Sequence, residues 1–406
     1  MNRMQTDRWL LPEGIQEVLP DEAQRLETLR RELLDLFSLW GYELVIPPFI
    51  EFLDSLLIGT GHDLDLQTFK LTDQLSGRTL GVRADMTPQV ARIDAYNLHR
   101  DEPTRLCYLG TVLHALNDPL EKSRSPLQVG AELYGHAGID SDLEIVQLML
   151  ETLAVAGIQD VHLDLGHVAI FRGLANQAGL DGTREAATFD RMQRKAIPEL
   201  NDLLAAYQLE EPVRSMLAEL PRLNGTQGVL ERARKVLSRS RREVFEALDY
   251  LEELSQRLSN RFPLLSIHFD LAELRGYHYQ TGVVFAAFVP GFGREIARGG
   301  RYDEIGRVFG RARPATGFSA DVKVLASLTR NIASHRPARV FAPADQDPGL
   351  DEKIRDLRVS GRVVIQELPG QAGGAEQMHC GYRLAKRNDE WEVVALSVRI
   401  DSHTGD

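Results

Sequence analysis

Residues 127–135 read Leu-Gln-Val-Gly-Ala-Glu-Leu-Tyr-Gly. Leu127, Val129 and Ala131 alternate with Gln128, Gly130 and Glu132. Successive side chains of a strand point to opposite faces, so the segment predicts a strand with one core-like side and one polar side. Gly130 leaves room between the two polar side chains. A face of this kind is either the solvated surface of a sheet or one wall of a site.

The flanking sequence extends the sheet. RTLGVRADMTP (78–88), TRLCYLGTVLHAL (104–116) and SPLQVGAELYG (125–135) alternate short apolar runs with loops, the pattern of antiparallel strands. Asp85 and Thr87 stand on one side of the chain just before Pro88, where a helix over 88–99 starts; Thr87 suits either a helix cap or a binding role. Upstream, Leu26, Leu29, Leu33, Leu36 and Phe37 recur at helical spacing and predict a helix over 21–40. Asp21 and Glu22 suit its first turn and Gly41 its end. A short strand, Tyr42 to Ile46, is closed by Pro47 and Pro48, which cannot donate to a ladder.

Downstream, a helix over 141–157 ends at Gly157 and a strand covers 161–166. Residues 168–262 are rich in Leu, Ala, Glu and Arg at helical spacing and read as a helical insertion. Strand character returns at 266–274, 281–289 and 294–303. Between them, Arg275 on a glycine-containing turn is either an anion contact or a surface arginine, and Gly299-Gly300 is either a close backbone approach or a loop pair. The body is therefore residues 1–330, and the tail 331–406 changes character. ARVFAPADQDPGL and GRVVIQELPGQAGGAEQ read as short strands and turns without a βαβ pattern, and YRLAKRNDEWEVVAL as a hairpin with Asn388-Asp389 at its tip. The expectation is a small β-rich domain.

Composition bounds the function. The 406 residues carry a net charge of −12, whereas grip on a nucleic-acid backbone normally needs a basic footprint. A local basic face remains compatible with that total. No run approaches the ~18 apolar residues of a membrane helix, and the first residues, MNRMQTDRWLLPEG, lack an apolar leader core. Cys107 and Cys380 alone make neither a disulfide framework nor a metal site, which fits a reducing cytoplasm.

In their order and spacing, these segments resemble a class II aminoacyl-tRNA synthetase catalytic domain of the histidyl branch. GYELVIPPFIE (41–51) is similar to motif 1, with Pro48 and Glu51 at its proline and acidic positions. RADMT, CYLGTVLHAL and QVGAE are similar to motif 2 and its surroundings. RGYHYQTGVVF and GGRYD resemble the two histidine-specific segments, and TGFSADVKVL (316–325) resembles motif 3. The resemblance implies an α+β fold: a six-stranded antiparallel sheet flanked by helices, in a dimer, with the helical insertion and a small C-terminal domain added. It implies a histidine pocket in which Asp85, Thr87 and Gln128 hold the α-amino group, Glu132 and Tyr279 the imidazole, and Arg275 the carboxylate. Two separate partners suit an imidazole, whose nitrogens are distinct, and an ammonium needs acceptors.

The departures from the family are concentrated on the nucleotide side. His114 stands at the motif 2 arginine position, Pro126 at the adenine-stacking aromatic, and Lys323 at the motif 3 arginine, with Ala320-Asp321 before it and His278 at a usually acidic place. An imidazole supplies no permanent charge at neutral pH and lysine lacks the bidentate fork of arginine. A retained amino-acid pocket, a degraded ATP site and no expected anticodon domain resemble the ATP phosphoribosyltransferase regulatory subunit family. That resemblance implies a non-catalytic histidine sensor of histidine biosynthesis, without cofactor or metal. Its implied partner is a short-form ATP phosphoribosyltransferase catalytic subunit, in a hetero-oligomer that contains a dimer of this chain, with neither tRNA nor membrane as a partner. An active histidyl-tRNA synthetase and another synthetase-like paralogue are the alternatives.

Overall fold

The computed structural model describes residues 9–58, 62–116, 123–273, 279–329 and 338–396. Two compact units divide the chain, Met1–Ile332 and Ala333–Asp406.

In the first unit a helix spans Pro20–Leu39, with Pro20 at its start and Leu26, Leu29, Leu33 and Phe37 buried. Gly41 follows at a φ of 78°, the left-handed conformation that glycine takes freely. Strand β1 (Glu43–Leu44) is shorter than the expected 42–46. Strands β2 (Ile50–Phe52), β3 (Phe69–Thr72) and β4 (Thr79–Val82) form a separate antiparallel sheet in the order β2-β4-β3. The helix expected over 88–99 is α-helical over Thr87–Arg92 and widens to a π-helical turn over Ile93–Leu98.

The main sheet is built from β1, β5 (Thr104–Thr111), β6 (Leu127–Tyr134), β7 (His162–His167), β8 (Asn224–Gly225), β9 (Ser266–Asp270), β10 (Val283–Phe288), β11 (Ala297–Arg301) and β12 (Ala315–Asp321). Its order is β1-β5-β6-β12-β11-β10-β7-β9-β8. The six strands from β5 to β7 in that order pair antiparallel throughout, as the family resemblance implies. β1 joins one side and β9 the other in parallel, so the whole sheet is mixed.

The two faces of the sheet differ. Cys107, Val129, Ala131 and Leu133 face a large core shared with the helices Pro20–Leu39 and Ile139–Val155. Leu106, Tyr108 and Tyr134 face a smaller apolar cluster with Met86, Val90, Tyr302 and Ala315. Register fixes this division, because a slip of one residue would exchange the faces. The segment expected as a helical insertion holds helices at Val168–Gln177, Gly182–Gln193, Ile197–Ala206, Val213–Glu219, Gly228–Val236 and Arg242–Arg261. It is tied back to the sheet by β8 on β9 and by Lys195, whose ammonium donates to Asp270 at 2.6 Å.

The second unit corrects the reading of the tail. β13 (Arg339–Ala342), a helix Pro348–Val359 and β14 (Val363–Gln366) form a parallel βαβ unit. β15 (Tyr382–Arg387) adds parallel to β13, and β16 (Glu390–Ala395) pairs antiparallel with β15. The Asp-Pro-Gly sequence, which reads as a turn, is a helix start. Asp347 accepts from the Gly349 amide at 2.9 Å, Pro348 opens the first turn, and Leu350, Ile354 and Leu357 make the buried stripe. The hairpin tip falls where expected, Asn388 and Asp389 both at positive φ.

Candidate functional site

Antiparallel register places Tyr108 opposite Gly130 and Leu106 opposite Glu132. The polar side of β6 therefore shares a face with the Tyr108 hydroxyl. The turn between β4 and the helix Thr87–Arg92 lays Asp85 and Thr87 over the same face. A continuous polar chain results. Gln128 Nε2 donates to Asp85 Oδ1 at 2.7 Å, and Gln128 Oε1 accepts from the Met86 amide at 3.1 Å. Asp85 Oδ1 also accepts from the Thr87 amide at 3.1 Å and its hydroxyl at 3.3 Å. The Thr87 hydroxyl lies 3.2 Å from the Tyr108 hydroxyl, which donates to Glu132 Oε1 at 2.9 Å.

The sheet leaves space for this chain by omitting side chains. A Cβ at Gly130 would overlap the Tyr108 phenol, and one at Gly317, opposite Glu132, would overlap Glu132 Oε2 and the Tyr302 hydroxyl. Glu132 is 1% exposed. Its Oε2, the Tyr302 hydroxyl and Gln280 Oε1 are buried without a hydrogen-bond partner. Unmade bonds of this kind cost about 1–3 kcal/mol each, and these three atoms are grouped beside the paired glycines Gly317 and Gly300. Burial pushes the Glu132 carboxyl well above the ordinary carboxylate range; the Asp85 charge adds to this, while the Tyr108 hydrogen bond opposes it.

Tyr279 is 41% exposed. Burial pushes the pKa of its hydroxyl up, Arg298 opposes the rise, and Asp85 and Glu132 add to it, so one phenol feels both carboxyls and Arg298. Arg275 and His278 lie outside the described residues. Asp85, Thr87, Gln128 and Glu132 are thus joined in one network with Tyr279 in electrostatic reach. Sequence reading missed Tyr108, Tyr302, Gln280 and Gly317. The GGRYD segment contained Tyr302.

His114, Pro126 and Lys323, three of the positions at which the sequence departs from the synthetase pattern, are bound up in local structure. His114 Nε2 lies 3.1 Å from the Ala84 carbonyl. Pro126 is buried, and its carbonyl accepts from the Val112 amide at 3.1 Å. The Lys323 ammonium donates to the Ser125 carbonyl at 2.6 Å and hydroxyl at 3.2 Å. Asp321 Oδ1 accepts from the amides of Leu127 and Lys323, each at 3.0 Å. Asp321 thus caps the helix Val322–Leu328 and braces the entry to β6. No group of His, Cys, Asp and Glu among the described residues is arranged to hold a metal ion, and no described helix is long and apolar enough to cross a membrane.

The histidyl-tRNA synthetase family matches residues 14–325. The ATP phosphoribosyltransferase subunit HisZ C-terminal domain family matches residues 337–394. An ATP phosphoribosyltransferase regulatory subunit of Methylococcus capsulatus is 60% identical over 394 residues, covering 96% of this chain and 97% of the relative. One from Thioalkalivibrio sulfidiphilus is 57% identical, covering 96% and 99%. A crystal structure described as an ATP phosphoribosyltransferase regulatory subunit/histidyl-tRNA synthetase from Bacillus halodurans superposes with a TM-score of 0.80 at 26% identity, over 91% of this chain and 95% of that one. With a synthetase body, a matching C-terminal domain and this identity over nearly its full length, the chain belongs to the ATP phosphoribosyltransferase regulatory subunit family.

Proposed function

We propose that this chain is the histidine-sensing, non-catalytic subunit of an ATP phosphoribosyltransferase, acting in the first step of histidine biosynthesis. The carrying observation is the contrast within one sheet face. The chain Gln128–Asp85–Thr87–Tyr108–Glu132 is assembled and ends on an unpaired carboxyl oxygen. Lys323, by contrast, is spent on Ser125, and Pro126 is buried in the backbone ladder. In this reading Asp85, Thr87 and Gln128 receive the α-amino group, Glu132 and Tyr279 the imidazole, and Arg275 the carboxylate. Adenylation works by charge stabilisation and positioning, which His114, Pro126 and Lys323 do not supply.

The partner in this proposal is a short-form catalytic subunit, which histidine-bound regulatory subunits hold in an inhibited state. Allostery then needs two sites and two states of the assembly. Self-association is supported by the surface around β1. Leu44, Ile46, Phe49 and Ile50 are exposed there, next to a sheet edge only two residues long. The proposed location is the cytoplasm, where free thiols such as Cys107 and Cys380 persist.

The test is phosphoribosyl-ATP formation by the short-form catalytic subunit, with and without this chain, across a histidine titration. Stimulation reversed by histidine is expected. No effect at any histidine concentration overturns the proposal. Histidine-dependent ATP–pyrophosphate exchange by the chain alone would instead establish an active synthetase.

A further inference from the structure

The pocket does not end at Glu132. Register runs the same sheet face onward from Tyr108 through Gly130, Ser319, Arg298, Ala286 and Asp164. The adjacent row runs from Glu132 through Gly317, Gly300, Val284 and Gly166. Residues paired across strands share a face. Arg298 therefore stands on the face that carries Tyr108 and Glu132. Its register partners are Ala286 and Ser319, and Gly300 lies two residues along its own strand. Among these neighbours it is the one long side chain, a cation rising from a floor of small residues.

Three observations connect this cation to the pocket. Glu132 and Arg298 are two strand spacings and two residues apart, about 12 Å between Cα atoms. An amino acid with its side chain at Glu132 and its backbone end toward Arg298 fits that span. The Tyr279 hydroxyl feels Arg298 together with Asp85 and Glu132, so all three lie within electrostatic reach of one phenol. The Arg298 side chain is 65% exposed, with Nη1 donating to Glu295 at 3.2 Å.

We propose that Arg298 is a carboxylate-binding residue of this pocket, so that the ligand is recognised as an amino acid with a free α-carboxylate. The inference rests on the histidine-pocket reading and adds to it a residue that the synthetase resemblance did not supply. A charged hydrogen bond at this end discriminates acid from amide without touching the imidazole end.

The experiment is titration calorimetry of the full chain with L-histidine and with L-histidinamide, at one pH, for the parent, Arg298→Met and Arg298→Lys. The parent is expected to favour histidine over the amide by about tenfold, the usual effect of one charge-assisted bond. Arg298→Met narrows that ratio to about two while amide affinity stays within about twofold, and Arg298→Lys keeps part of the preference. A ratio preserved in Arg298→Met overturns this inference alone and leaves the pocket in place. Loss of both ligands in Arg298→Met, with binding intact in Arg298→Lys, also overturns it, because the effect is then not confined to the carboxylate. A parent that binds neither ligand overturns the histidine reading and this inference together.

Discussion

Tyr108 donates its hydroxyl to Glu132 Oε1 across 2.9 Å, through space that Gly130 leaves open between them. The phenol and the carboxyl are both buried, and burial pushes the pKa of each up, disfavouring the ionised form. The Glu132 charge adds to the rise of the phenol, while the hydrogen bond from Tyr108 opposes the rise of the carboxyl. This pair turns two strands of a sheet into the floor of a polar pocket. Tyr108 occupies Glu132 Oε1 and leaves Oε2 without a hydrogen-bond partner.

Tyr108→Phe keeps the ring and removes the donor. Glu132 Oε1 is then buried without its partner, and its orientation toward the ligand is no longer fixed. Histidine affinity should fall about tenfold with little change in fold, since one neutral-to-charged bond is lost. Calorimetry on the purified chain checks it. Unchanged affinity would remove Tyr108 from the site.

The ligand-free pocket also predicts a pH effect. Burial raises the Glu132 carboxyl above its ordinary value of 4.5, so the folded chain holds a proton that the unfolded chain releases. The stabilisation is complete below 4.5 and is lost as pH rises through the folded value. Glu132→Gln removes this titration. The melting temperature of the parent, relative to Glu132→Gln, should therefore drop steadily as pH rises above the ordinary carboxylate value of 4.5. A difference independent of pH would show Glu132 ionised in the empty pocket.

Gly317→Ala tests the space instead of the charge. The added methyl would overlap Glu132 Oε2 and the Tyr302 hydroxyl, which are held by packed strands. Overpacking of this kind costs about 1–3 kcal/mol. Denaturant midpoints should fall accordingly, and histidine binding should weaken beyond detection because the displaced oxygen is the one offered to the ligand. Binding at parental strength would mean that the imidazole end lies elsewhere.

Strand β6 is legible in the sequence because its alternation is strict and its register is pinned by a buried face. That alternation puts Gln128 and Glu132 on one side, and the order of the motifs adds Asp85 and Thr87 to them. Tyr108 and Gly317 are not legible in the same way. Their roles depend on which residue each faces across a strand boundary, and alternation within one strand does not give the pairing. Lys323 reads in the sequence as a weakened phosphate contact, whereas the fold spends it on the Ser125 carbonyl, a contact 198 residues apart in the chain. The tail misleads for a different reason. Asp347-Pro348-Gly349 is turn chemistry and helix-start chemistry at once, and only the packing of Leu350, Ile354 and Leu357 with Val340 and Trp391 decides between them.

Glu51 links the proposed self-association surface to the helix that begins at Thr87. It lies on β2, beside the exposed Phe49 and Ile50, yet its own side chain is 7% exposed. Both terminal nitrogens of the Arg92 guanidinium and Gln89 Nε2 donate to it, and Gln89 also donates to the Pro48 carbonyl at 2.8 Å. Gln89 and Arg92 belong to the helix whose first residue is Thr87. Glu51→Ala leaves Arg92 half-buried without its counter-charge, which should cost about 2–3 kcal/mol once the partial exposure of Arg92 is allowed for. The double change Glu51→Ala with Arg92→Met removes the stranded cation and should recover part of that loss, a coupling that a double-mutant cycle on denaturant midpoints measures directly. If the helix start is what positions Asp85 and Thr87, histidine affinity should fall in Glu51→Ala and stay low in the double variant, because restoring charge balance does not restore the tether. Full recovery of binding in the double variant would show that the ion pair serves stability alone.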